Sequence, residues 1–135
     1  MNNEEIMASV ELEIILKAGK ILLSSGAEIS RTEDTMNYIA RAMNFKDLEA
    51  YVSNRGIFAT AKKADGTEIT RICNVPEVDI NLSKIESVNA LSRRITQKNI
   101  TIEEIESELN QIDTMSDYSF FWRLVAYTLG ASGFS

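Results

Sequence analysis

A chain of 135 residues, 44% hydrophobic and 25% charged, has the size and make-up of one globular domain with a single core. Its formal net charge of −6 repels nucleic-acid phosphates and anionic headgroups, which sets nucleic acid aside as a partner. With no histidine and one cysteine, Cys73, the chain excludes Ser-His and Cys-His nucleophile pairs, histidine-ligated zinc and an intramolecular disulfide. No cofactor or metal is expected, and a reducing compartment is. The acidic start, Met-Asn-Asn-Glu-Glu, lacks the cationic and apolar regions of a signal peptide.

Residues 4–25 carry Ile6, Val10, Ile14, Ile15, Ala18, Ile21 and Leu22 at helical spacing and stop at Gly26, a residue suited to the left-handed position past a helix end. Ser30 with Glu33 reads as a capping box opening a second helix, with Met36, Ile39, Ala40 and Met43 as its apolar stripe and Asn44 at its exit. Residues 48–53, 57–63 and 67–75 read as three strands. The first two are joined by Asn54-Arg55-Gly56 and the last two by Asp65-Gly66, a strong hairpin signal. On the third strand Ile69, Arg71, Cys73 and Val75 point one way and Thr70, Ile72 and Asn74 the other, before Pro76 closes the meander. Lys62-Lys63, near the hairpin tip, is expected to be solvated.

Helices then return. Ser83 with Glu86 and Thr101 with Glu104 form two further candidate capping boxes. Ile85, Val88, Leu91 and Ile95 follow the first; Ile102, Ile105, Leu109 and Ile112 follow the second. The expected fold class is therefore α+β: two N-terminal helices, a three-stranded antiparallel β-meander, two amphipathic helices and an apolar C-terminal helix. That last segment, residues 118–135, holds one charge, Arg123, among Phe120, Phe121, Trp122, Leu124, Val125, Tyr127 and Leu129. It falls slightly short of the ~20 residues of a full membrane span. Taken by itself it fits a buried core helix as well as a membrane segment.

The stretch most suggestive of chemistry runs from Ser25 to Thr35. Glu28 and Glu33 could act as paired carboxylates with Arg31 as an anion contact at a helix start, although a capping box already accounts for Glu33. Arg71, on an apolar sheet face, needs a carboxylate or carbonyl partner, for which Glu28 is a candidate. Asn89 and Arg93, four residues apart, are neighbours that could line a polar pocket. Cys73 has no histidine to activate it and reads as a buried structural thiol.

The chain resembles the N-terminal domain of the bacterial threonine/serine exporter family, ThrE, including its split relatives of the YjjP type. The residues that carry the resemblance are Ala18-Gly19, Leu22-Leu23, Gly26-Ala27-Glu28, Arg31, Glu33 and Thr35-Met36, then Ile39-Ala40-Arg41-Ala42, Ala50-Tyr51-Val52-Ser53 and Gly56-Ile57-Phe58. They continue with Thr70-Arg71, Val75-Pro76, Asp79-Ile80-Asn81-Leu82, Val88-Asn89, Leu91-Ser92-Arg93-Arg94 and Ala131-Ser132-Gly133-Phe134.

The resemblance implies a cytoplasmic domain on the inner face of a bacterial cell membrane, attached to several membrane helices that export threonine, serine or a dicarboxylate such as succinate. Residues 1–117 would form that domain and residues 118–135 a juxtamembrane helix beginning a truncated membrane region. Its partners would be its own membrane part or a second small membrane subunit, and a homo-oligomer is compatible. The positions it points to are Gly26, Glu28, Arg31, Glu33, Arg71, Asn89 and Arg93, as binders of substrate, with no catalytic residue implied. Two other functions fit the residues: a carboxylate-dependent hydrolase using Glu28 and Glu33, and an assembly module driven by the apolar tail.

Overall fold

In the computed structural model, which describes residues 2–115, the first helix, α1 (Asn3–Ser24), lies at the centre of the packing. β2 (Gly56–Lys63) and β3 (Glu68–Asn74) touch it, and so do α2 (Ile29–Ala42), α3 (Leu82–Thr96) and α4 (Ile102–Thr114). Burial is consequently not confined to a stripe: Leu12, Ile14, Ile15, Leu16, Ile21, Leu22 and Leu23 are all buried, the pattern of a core helix. At Gly19 the neighbours close in. An added Cβ would lie 2.7 Å from Met36 Sδ and 3.0 Å from Ile57 Cδ1.

α1 ends where the sequence says it should. The Ser25 N–H donates to the Ile21 carbonyl at 3.0 Å, and Gly26 takes φ +101°. Gly26→Ala should therefore cost about 1–2 kcal/mol for forcing a Cβ into the left-handed region, with the new carbon also 3.3 Å from Ile80 Cγ1. The measurement is a lower urea midpoint at unchanged m-value.

α2 starts earlier than a Ser30 cap would place it. Both the N–H and the hydroxyl of Thr32 donate to the Glu28 carbonyl, at 3.0 and 2.9 Å, so Glu28 is the N-cap and its side chain makes no capping bond. Burying Thr32, Met36 and Ile39 sets the phase of the helix and leaves Ser30 exposed in its first turn. Asn44 leaves the helix at φ 65°, as expected.

The sheet has the order β1-β2-β3, antiparallel throughout, with β1 spanning Phe45–Val52. β1 begins before residue 48 because Phe45 is buried, with Lys63 Nζ 4.1 Å over its ring. Lys63 is not a solvated tip residue. Its ammonium pairs with Glu11 at 2.9 Å and its side chain is 20% exposed. Ala59 and Ala61, both 0% exposed, bring the inner face close to α1. As expected, Ile69, Arg71 and Cys73 share that face while Thr70, Ile72 and Asn74 are exposed. Gly66 turns the second hairpin at φ +95°, with Asp65 Oδ1 accepting from the Thr67 N–H at 2.9 Å. That bond from the Thr67 backbone holds the Asp65 carboxyl below its ordinary value.

Residues 75–81 cross the end of α1, where the Asp79 and Asn81 N–H groups donate to the carbonyls of Ser24 and Ser25 at 2.9 and 3.0 Å. Val78, Ile80 and Leu82 are exposed. α3 is capped by Asn81, not by Ser83: Asn81 Oδ1 accepts from the Lys84 N–H at 3.1 Å, which puts Ser83 inside the first turn and buries it. The Thr101–Glu104 box is present in both directions. Ile105, Leu109 and Ile112 then face the core. The expected apolar C-terminal helix, residues 118–135, and the boundary at 117 lie outside the described residues.

Candidate functional site

Glu28 caps α2 with its backbone alone, so its carboxylate is free to point elsewhere. One turn on is Arg31 and two turns on is Thr35, positions that share a helix face. With Gly26, Asp34, Leu82, Ile85 and Asn89 they line a groove of about 440 Å³ between the start of α2 and the start of α3. Thr35 and Asn89 also line a second depression, with Tyr38 and Arg93, so the groove continues along the two helices toward Arg93. Among the described residues, the side chains of Glu28, Arg31, Asn89 and Arg93 form no hydrogen bond or ion pair. Arg31 sits where the α2 N-terminus also favours an anion, while Glu28 and Asp34 supply negative charge beside it. A groove carrying both signs, with Leu22, Leu82 and Ile85 as apolar wall, can hold a small zwitterion.

Two of the expected positions are elsewhere. Glu33 lies on a different face of α2 and does not line the groove; its carbonyl accepts from Asn37 Nδ2 at 3.0 Å. Glu28 and Glu33 are therefore not assembled as an acid–base pair. Arg71 does not meet Glu28 either. Its guanidinium reaches α1, with Nη2 donating to Ser9 Oγ at 2.7 Å and Nε 3.4 Å from Glu13 Oε1, and Nη1 donating to the Thr70 carbonyl at 2.8 Å. Glu13 and Leu22 are nine residues apart on α1, roughly 14 Å along the axis, so Arg71 belongs to another part of the surface.

Asp34, Thr35, Leu82 and Ile85 complete the groove and were not singled out as site residues. The signal for the first two was present as helical spacing: 28, 31 and 35 fall on one face, with 34 beside them. Among the described residues, no group of three or more cysteine or carboxylate side chains is placed to hold a metal ion, and no helix is long and apolar enough to cross a membrane.

The α3 side of the groove is tied to the end of α4. Asn81 Nδ2 donates to the Met115 carbonyl at 3.4 Å, and Lys84 Nζ to the Asp113 carbonyl at 2.7 Å. The helix that carries Asn89 thus begins against the point where the chain leaves α4 toward residue 116.

A family model described as "Putative threonine/serine exporter", ThrE, matches residues 13–135. No curated protein and no solved structure matches the chain.

Proposed function

The chain belongs to the ThrE family of threonine/serine exporters, and on that premise we propose that residues 2–115 are a cytoplasmic sensing and gating domain whose α2–α3 groove receives the exported solute. The observation that carries this is the convergence of Glu28, Arg31 and Asn89 from two helices on one groove, with no partners for their side chains among the described residues. An amino-acid carboxylate would meet Arg31, its ammonium Glu28 or Asp34, and the side-chain hydroxyl of threonine or serine the Asn89 amide. Arg93, one turn beyond Asn89, extends the groove for a longer anion. A dicarboxylate such as succinate would bring a second negative charge near Glu28 and is expected to bind less tightly than threonine.

Gating needs the solute to favour one state of the attached membrane part over the other. In this reading the difference is passed through α3, since Asn81 and Lys84 hold the end of α4 and residues 118–135 follow directly. Ile80 and Leu82, exposed at that corner, would meet the domain's own membrane region or a second membrane subunit.

The test is a titration of the 15N-labelled chain with threonine, followed by amide NMR. Amides of Gly26, Glu28, Arg31 and Asn89 should shift together and saturate at one Kd. Saturable binding that leaves these four unmoved would overturn the assignment to the groove.

A further inference from the structure

A second cleft, of about 580 Å³, opens on another side of α1, between that helix, β3 and α4. Its volume lies within the range of small-molecule pockets. Ile14, Leu16 and Leu109, all buried, contribute to its lining. Lys17 Nζ donates to Asn110 Oδ1, which ties α1 to α4 across the cleft and fixes that ammonium in place with its charge unneutralised by the amide. Lys20, one turn further along α1, is half-buried in the lining and its ammonium makes no hydrogen bond or ion pair among the described residues. An unpaired ammonium at the edge of an apolar-lined cleft is a site at which an anion gains more than it would in open water.

The other charges narrow the choice of anion. Glu13, engaged by Arg71 at 3.4 Å, and Glu106 also line the cleft and offset most of the positive charge of Lys17, Lys20 and Arg71, which favours one negative charge over two. Two lysines against two carboxylates, one of them paired with Arg71, leave about one positive charge to be met, and with the apolar part of the lining that fits a single negative charge on a short hydrocarbon. We propose that this cleft is a second ligand site, separate from the α2–α3 groove, for a small aliphatic monocarboxylate whose charged end pairs with Lys20 and whose carbon chain lies over Leu16 and Leu109.

The cleft carries its own reporter. Cys73, the chain's one cysteine, lines it from β3. Burial pushes the thiol's pKa up, with Lys20 acting in the opposite direction, so alkylation by a neutral reagent should be slow and sensitive to what covers the sulfur. Iodoacetamide labelling of the 135-residue chain would be timed with and without isobutyrate, at constant ionic strength, with isobutyramide as the uncharged isostere.

Isobutyrate at five times its Kd should slow labelling about sixfold by mass action, and isobutyramide should not. Lys20→Gln, compared as the ratio with and without ligand because the variant also slows labelling by itself, should abolish the protection. Arg31→Ala should leave it intact. Labelling unaffected by isobutyrate, or protection that persists in Lys20→Gln, overturns the proposal. Protection lost in Arg31→Ala instead would place the ligand in the α2–α3 groove, overturning the second site while leaving the groove's role standing.

Discussion

Ile15→Ala is expected to lower folding stability by about 2–5 kcal/mol, a large share of the roughly 5–15 kcal/mol that holds a domain of this kind together. Ile15 is 0% exposed and sits midway along α1, which touches β2, β3, α2, α3 and α4. A cavity there has packed elements on both sides, and the close contact of Met36 and Ile57 with Gly19 one turn away leaves little freedom for them to collapse into it. Ile6→Ala is the comparison. That side chain, in the second turn of the same helix, is 48% exposed, and its loss should change stability by no more than about 0.5 kcal/mol. Urea denaturation would show a large drop in midpoint for Ile15→Ala and almost none for Ile6→Ala, with the m-value unchanged in both. Equal shifts would mean that α1 is not the centre of the core.

The elements were legible wherever burial has one period. Val88, Leu91 and Ile95 repeat every three or four residues and all three are buried; Ile69, Arg71 and Cys73 alternate with exposed neighbours as a one-faced strand requires. The hairpins were legible from Asp65-Gly66 and from the turn before Gly56, because positive φ and tight reversal restrict residue choice. Helix starts were less so. Three Ser/Thr-x-x-Glu patterns read as capping boxes, at Ser30, Ser83 and Thr101, but only Thr101–Glu104 is a cap. At the other two the phase of the buried face moved the first turn: Thr32 bonding back to Glu28 starts α2 early, and Asn81, held by its N–H to Ser25, outcompetes Ser83. A local pattern proposes a cap, and long-range packing selects among the candidates.

The site was legible in its parts and not in its assembly. Glu28, Arg31, Asn89 and Arg93 were singled out and do lie along one groove. Glu33 and Arg71 came from the same reading and do not. For Glu33 the helical period separates it from Arg31 by about half a turn. For Arg71 the error was in pairing: a sheet arginine needs a partner, but α1 crosses the sheet with Ser9 and Glu13 opposite β3, and its C-terminal end holds the groove. Which part of a long helix meets which strand depends on how the whole helix is laid across the sheet, and no local pattern carries that.

That separation makes the groove's proposed role testable by a transport assay in cells. Arg31→Ala should cut threonine export at sub-saturating solute by about 10- to 100-fold, because losing a charge-assisted hydrogen bond costs about 1.5–3 kcal/mol and each 1.4 kcal/mol is about a factor of ten in affinity. Glu28→Gln, which keeps the shape and removes the charge, should do the same for threonine and serine, whose ammonium needs a negative partner. It should weaken succinate less or even improve it, since the like charge is gone.

Glu33→Gln, on the far face of α2, should export normally. Arg71→Ala should also export nearly normally: it breaks contacts to Ser9 and Glu13 that are partly solvent-exposed, 36% and 60% for the Arg71 and Glu13 side chains, and such pairs contribute about 0–1 kcal/mol. Amounts in the membrane fraction, measured by immunoblot, should match wild type in all four variants, so that a loss of export reports on the solute and not on insertion. Normal threonine export in both Arg31→Ala and Glu28→Gln would remove the groove from the transport cycle. A loss in Arg71→Ala alone would move the functional surface to the α1–β3 face, where the guanidinium actually lies.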